Sequence, residues 1–284
     1  KYKNDKRSLL VNDRVFANIQ KDGTYSVVPR IWGGLTSPKE LKDMADIAVK
    51  YDVPTVKFTG GQRLDMLGVK KEQLAPMWKD LNDAGFVSGQ AYAKGLRTVK
   101  TCVGNQWCRF GTQDAMQTGI DIEKMTWGSW TPHKFKIAVS GCPRNCAEAT
   151  IKDIGVIAVD SGWEISIAGN GGIKVRVTDF FTKVATNEEL YHHIKAIMQF
   201  YREDAYYLER TAHWVERVGL EYVKDALLKD KSGIDFYAAR FDESQRTAQI
   251  DPWEQARKDG FTEEFSPIVI APENSESFEA KETV

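Results

Sequence analysis

Two close cysteine pairs with 33 residues between them constrain this chain more than any other feature: Cys102 and Cys108 in TCVGNQWCRFG, then Cys142 and Cys146 in SGCPRNCAEA. The sequence holds no other cysteine. Four thiols in two clusters suit convergence on one inorganic centre, and the fold must then bring two separate segments to one place. Spacing alone leaves three readings open: an iron–sulfur cluster, a structural zinc ion, or cysteines behaving as small buried hydrophobes. A disulfide framework fits poorly, because 284 residues can bury a core without covalent staples and Lys1–Leu10 is no signal peptide. Zinc knuckles favour C-x2-4-C on both sides, whereas the first pair is C-x5-C.

Charge is informative locally. No Asp or Glu occurs from Ala84 to Gln113 or from Lys124 to Ala147, where the chain's acid frequency predicts about eight. Lys94, Arg97, Lys100 and Arg109 lie in the first stretch, and Lys124, Lys134, Lys136 and Arg144 in the second. Each cysteine pair therefore has electropositive surroundings, which a bare cluster does not need but an anionic substrate or polyanionic cofactor does. The net charge of −1 gives no global attraction to nucleic acid or anionic membrane, and no apolar run approaches a membrane span. Neither partner is expected, and a cytoplasmic location is. The opening KYKNDKRS, without a start methionine, has the form of a fragment or a processed chain.

The pattern predicts an α+β protein of two parts. Strands are expected over Arg14–Ile19, Thr24–Ile31 and Thr55–Thr59, with helices over Pro38–Tyr51 behind a Ser37 cap and over Lys70–Ala84. That rhythm is ferredoxin-like in size and ends near Gly85–Gly89. In the second part, strands Leu96–Thr101 and Phe135–Ser140 run into the cysteine pairs. Thr112–Met125 reads as a helix, and Pro143 suits the first turn of another. Three further strands (Gly155–Asp160, Trp163–Ala168, Ile173–Thr178) and helices Asn187–Glu203, Ala205–Val218 and Leu220–Lys229 follow, and from Asp242 the chain reads as an extended tail. The expected division is 1–88, 89–232 and a tail 233–284. His133 precedes a basic strand, while His192, His193 and His213 read as ordinary helical residues. The glycines make no dinucleotide or phosphate-binding fingerprint.

TCVGNQWC, SGCPRNCAEA and WTPHKFKIAV, with RFGTQD, WGSW and EATIKDIGV, resemble the sirohaem and 4Fe-4S module of nitrite and sulfite reductases over residues 16–230. Within that family the resemblance is strongest to the C-terminal catalytic part of bacterial NAD(P)H-dependent nitrite reductase large subunits. It implies a ferredoxin-like small domain followed by an α/β sirohaem and 4Fe-4S core domain, and six-electron reduction of nitrite to ammonium. By that resemblance Cys102, Cys108, Cys142 and Cys146 ligate the cluster, and Cys146 also bridges to the sirohaem iron. Arg30, Arg97, Lys134 and Lys136 correspond to the family's anion-binding cations, while Gln62, Arg63, Arg109, Arg144 and Asn145 are candidates for contacts to the sirohaem carboxylates, with hydrogen bonds inside their own loops as the alternative. Lys134 and Lys136, two apart on a strand, share a face. Where some relatives have T-x-R-Q, this chain has Thr59-Gly60-Gly61-Gln62-Arg63. Longer relatives carry two copies of this unit, so a homodimer is expected to complete each site. FAD and NAD(P)H sites are expected on a separate N-terminal part, alongside a small Rieske-like subunit. Two alternatives remain: a sulfite reductase with the same cofactors, and a non-catalytic four-cysteine zinc or iron–sulfur module.

Overall fold

The computed structural model describes residues 17–259. The first part folds into an antiparallel sheet of β1 (Asn18–Ile19), β2 (Tyr25–Val27), β3 (Thr55–Phe58) and β4 (Leu64–Val69), in the order β1-β2-β4-β3. Helices α1 (Pro38–Lys50) and α2 (Leu74–Asp83) pack with it around Met44, Met66, Trp78 and Leu81. α1 begins where Ser37 Oγ accepts from the Glu40 N–H at 3.2 Å while the Glu40 carboxylate accepts from the Ser37 N–H at 2.7 Å, a reciprocal cap. Residues 14–16 of the first expected strand lie outside the described residues. The expected strand 24–31 stops at Val27, because the chain turns through Trp32–Gly34, where Gly33 and Gly34 take φ of 60° and 78°. β4 was not anticipated.

The second part is a five-stranded mixed sheet of β5 (Leu96–Thr101), β6 (Phe135–Ser140), β7 (Ile154–Val159), β8 (Gly162–Ile167) and β9 (Asp179–Val184), ordered as numbered. β5, β6 and β7 are parallel, and β7, β8 and β9 antiparallel. Between β5 and β6 come the short α3 (Gly104–Trp107) and α4 (Ala115–Thr126), which packs on both strands. After β9 follow α5 (Asn187–Asp204), α6 (Thr211–Val218) and α7 (Leu220–Leu228). Three expectations need correction. No helix follows Pro143: a looped turn leads into one 3-10 turn, Ala149–Ile151. Ile173–Thr178 is not a strand, for Ile173, Val175 and Val177 face solvent while Lys174 and Arg176 pair with Glu216, and β9 begins beyond them. The expected helix 205–218 starts only at Thr211.

The expected tail is also corrected as far as it is described. α8 (Lys231–Gln245) packs along α5, and α9 (Pro252–Asp259) returns to α2. Trp253 is fully buried there, stacked on Trp78 with ring centroids 6.1 Å apart. Asp251 accepts from the Ser88 N–H at 3.0 Å and from Asn82 Nδ2 at 2.6 Å, fastening this segment to the first part of the chain.

Candidate functional site

Both cysteine pairs leave the C-terminal ends of neighbouring parallel strands, the edge at which open α/β sheets present their sites. Thr101 of β5 lies opposite Val139 of β6, so Cys102 and Gly141 emerge together. The Gly141 N–H donates to Cys102 Sγ at 3.0 Å and the Thr112 N–H to the Gly141 carbonyl at 2.7 Å. This contact requires glycine: a Cβ on Gly141 would lie 2.8 Å from Gly104 Cα, and Gly104 itself has φ of 58°. Cys146 lies between two left-handed residues, Asn145 (φ 57°) and Glu148 (φ 58°). Asn145 Oδ1 accepts from the Ala149 N–H at 2.6 Å and its Nδ2 donates to Thr150 Oγ1 at 2.8 Å, holding the turn. Beneath it Ala147 and Ala149 pack with Ala138, and Cys102 packs against them.

All four cysteines are unbridged, with Cys142 buried, Cys102 and Cys108 half-buried, and Cys146 exposed. Among the described residues no three or more His, Cys, Asp or Glu side chains gather closely enough for a single metal ion. Tetrahedral zinc would need its sulfurs about 3.8 Å apart. An iron–sulfur cluster takes thiolates at the corners of a larger body and favours N–H donors to sulfur, as Gly141 supplies to Cys102. Four unbridged thiols, one of them already accepting an N–H, fit such a cluster.

Beside these loops, between the two sheets, lies a cavity of about 400 Å³. Six cations line it, Arg63, Arg97, Lys134, Lys136, Lys152 and Arg210, against three carboxylates, Asp65, Glu148 and Asp153. Each carboxylate already has a partner: Tyr92 Oη donates to Asp65 at 3.1 Å, Lys100 and Lys152 both reach Glu148 at 3.1 Å, and Arg210 pairs with Asp153 at 3.0 Å. Positive charge is thus in excess. Burial lowers Lys136 to about 8, helped by Lys134, Arg97 and Arg63. Burial likewise lowers Lys134, followed by Arg210 and Arg97. His133 falls to about 4, first by burial and then by Arg210. These cations lower one another's proton affinity, so an anion among them gains more than it would from exposed lysines. That surplus fits a cofactor rich in carboxylates.

The structure brings Arg63, Arg97, Lys134 and Lys136 to this cavity, and places the other expected residues elsewhere. Arg30 is 1% exposed and pairs with the buried Glu123 at 2.5 Å, its Nη2 donating to the Gly89 carbonyl at 3.0 Å. The resemblance implied an anion contact, but in this structure α4 supplies a carboxylate that pairs with this arginine. Glu123 Oε2 also accepts from the Gly33 N–H at 2.7 Å, tying the R-x-x-G-G turn to the core. Gln62 trades hydrogen bonds with the backbone of Thr101 at 2.8 and 2.9 Å, docking the small sheet on β5. Arg109 and Arg144 both stack on Phe110, at 4.7 and 3.9 Å, across the two cysteine loops. None of the four cysteines lines the cavity. Lys152, Asp153 and Arg210 were missed. The first two follow the second cysteine pair closely enough to have been noticed, whereas Arg210 carried no local signal.

Known proteins bear on this arrangement. The family described as "Nitrite and sulphite reductase 4Fe-4S domain" matches residues 92–235, and the "Nitrite/Sulfite reductase ferredoxin-like half domain" matches residues 18–84. The chain is 53% identical to a nitrite reductase [NAD(P)H] of Bacillus subtilis over 91% of its own length but only 32% of that protein's. It is 36% identical to an assimilatory-type sulfite reductase of Nitratidesulfovibrio vulgaris over 75% of this chain and 96% of that protein. The NirA protein of Mycobacterium tuberculosis shares the fold, with a TM-score of 0.64 at 17% identity over 72% of this chain and 40% of that one. The chain thus spans about a third of the first of these relatives.

Proposed function

The chain belongs to the nitrite and sulphite reductase family, and from that premise we propose that it is the sirohaem and 4Fe-4S module of a nitrite reductase, taking nitrite to ammonium with six electrons. Two features carry this: a cavity lined by six cations, and two cysteine pairs leaving the adjacent ends of β5 and β6. Cys102, Cys108, Cys142 and Cys146 would hold the cluster, and Cys146, the exposed one, would also reach the sirohaem iron. The bound pair supplies single electrons in succession. This chain's own residues attract and orient the anion through Arg97, Lys134 and Lys136. Lys136, poised at about 8, holds a proton it can release and recover near neutral pH. Arg63 and Lys152 offset the cofactor's carboxylates. Arg30, by contrast, acts through Glu123 to hold the Gly33 turn.

The larger assembly follows from the same reading: FAD and NAD(P)H bound outside this stretch, a Rieske-like subunit beside it, a cytoplasmic location, and a two-fold homodimer. Support for the dimer is that the cavity holds cations but no cysteine. Sulfite is the second reading, favoured by the likeness to the N. vulgaris sulfite reductase along nearly its whole length. Purified protein with a reduced dye separates these. The expected result is tetrapyrrole and iron–sulfur absorption with ammonium formed from nitrite faster than sulfide from sulfite. A colourless zinc protein, or absorption without ammonium, defeats the proposal.

A further inference from the structure

Asp153, just before β7, is a completely buried carboxylate whose acceptor sites are taken from three directions. It receives Arg210 Nη2 at 3.0 and 3.1 Å, Thr211 Oγ1 at 2.5 Å and the Lys136 N–H at 2.9 Å. One residue therefore sets both the lysine strand and the arginine that faces it across 57 positions of sequence. Arg210 lines the cavity, and its side chain is only 12% exposed. Among the described residues its protein hydrogen bonds all run through Nη2, and Nε is buried without a partner. A guanidinium offers five N–H groups in a fixed fork. Here one nitrogen serves Asp153, and the remaining donors belong to a group that lies close enough to Lys134 and His133 to lower both.

We propose that Arg210 is a further anion-binding residue of this cavity, taking a planar two-oxygen anion, nitrite or a cofactor carboxylate, on the donors that Asp153 leaves unpaired. Asp153 holds the guanidinium in orientation, and the shared bond to the Lys136 N–H keeps the arginine and the lysine pair in register. Lysine cannot substitute, because it offers a point charge in place of the fork. The inference rests on the proposed function, and the experiment separates the two. In the holoenzyme, Arg210→Gln and Arg210→Lys are compared with wild type for tetrapyrrole content per chain by absorbance, nitrite KM with a reduced dye, and thermal unfolding. If the anion is nitrite, KM rises about 10- to 100-fold in the glutamine variant and less in the lysine variant, at unchanged tetrapyrrole content. If it is a cofactor carboxylate, tetrapyrrole content falls by half or more while the loaded fraction keeps its KM. Wild-type content and KM in Arg210→Gln, or in Arg210→Lys should the first not fold, overturn the proposal. A wild-type protein that binds no tetrapyrrole and forms no ammonium defeats the functional reading instead.

Discussion

Lys136 offers the sharpest test of how the cavity binds its anion. Burial and neighbouring cations hold it at about 8, against the 10.5 of a free lysine. At pH 7 about nine-tenths of the chains carry the proton, and at pH 9 about one-tenth. Nitrite keeps its single charge over this interval, so if the ammonium group grips it, KM rises about tenfold from pH 7 to pH 9. Lys136→Arg keeps the charge and flattens the profile. Steady-state nitrite kinetics at fixed ionic strength measure this. A wild-type KM that is flat across the interval, or a rise that survives in the arginine variant, refutes the assignment. Stability gives an independent reading of the same titration. The folded pKa lies below the unfolded one, so the charged lysine costs stability below about pH 8, and the cost fades as pH climbs toward about 10.4. After allowance for partial solvent screening, Lys136→Met gains about 2 kcal/mol in urea unfolding at pH 7, an advantage gone by about pH 10.5.

Other consequences are simpler. Arg30→Gln strands the buried Glu123 carboxylate and costs about 3–5 kcal/mol in chemical unfolding, whereas Arg30→Met with Glu123→Leu recovers most of it; a raised nitrite KM at undiminished stability would return Arg30 to the anion site. Trp253→Ala removes a fully buried ring from the Trp78 stack and costs about 3–5 kcal/mol, read as a lower thermal midpoint; an unchanged midpoint would show that α9 contributes no hold. Cys146→Ser abolishes ammonium formation and alters both the iron–sulfur and tetrapyrrole absorption, and spectra indistinguishable from wild type would reject its dual role.

What could be read ahead of the structure follows from what local pattern encodes. β5 and β6 match residue for residue, since short β-branched runs bounded by Gly, His and Pro or by the cysteines leave little freedom. The same rule misled at Ile173, Val175 and Val177, whose alternation marks an apolar row facing outward. α8 and α9 were hidden by polar composition, because Trp253 is the principal apolar anchor of the last helix and its partner Trp78 lies far away in sequence. In the site, Lys134 and Lys136 were legible as a spacing of two. That Arg30 lies away from the cavity was not legible, because its partner Glu123 follows the first cysteine pair on α4 and is ordinary by type. Arg210 was invisible for the converse reason: its meaning comes from Asp153, and that pairing exists only after folding.

The return of the chain through Asp251 and Trp253 changes how the cavity behaves mechanically. A small domain joined to its core by one peptide link can swing, and a binding cleft between them opens and shuts. Here the covalent link near Gly85–Gly89 is doubled by a non-covalent one at Asn82, Ser88 and Trp78. Together with the Gln62–Thr101 and Arg30–Glu123 contacts, this turns a hinge into a braced frame. Thr59–Gly61 from one side and Lys134 and Lys136 from the other are then held at a set span before any anion arrives. On the proposed function, selectivity between anions of different size is then a matter of rigid geometry, and trimming the chain at residue 235, where the family match stops, would loosen the gauge without touching one residue that lines the cavity.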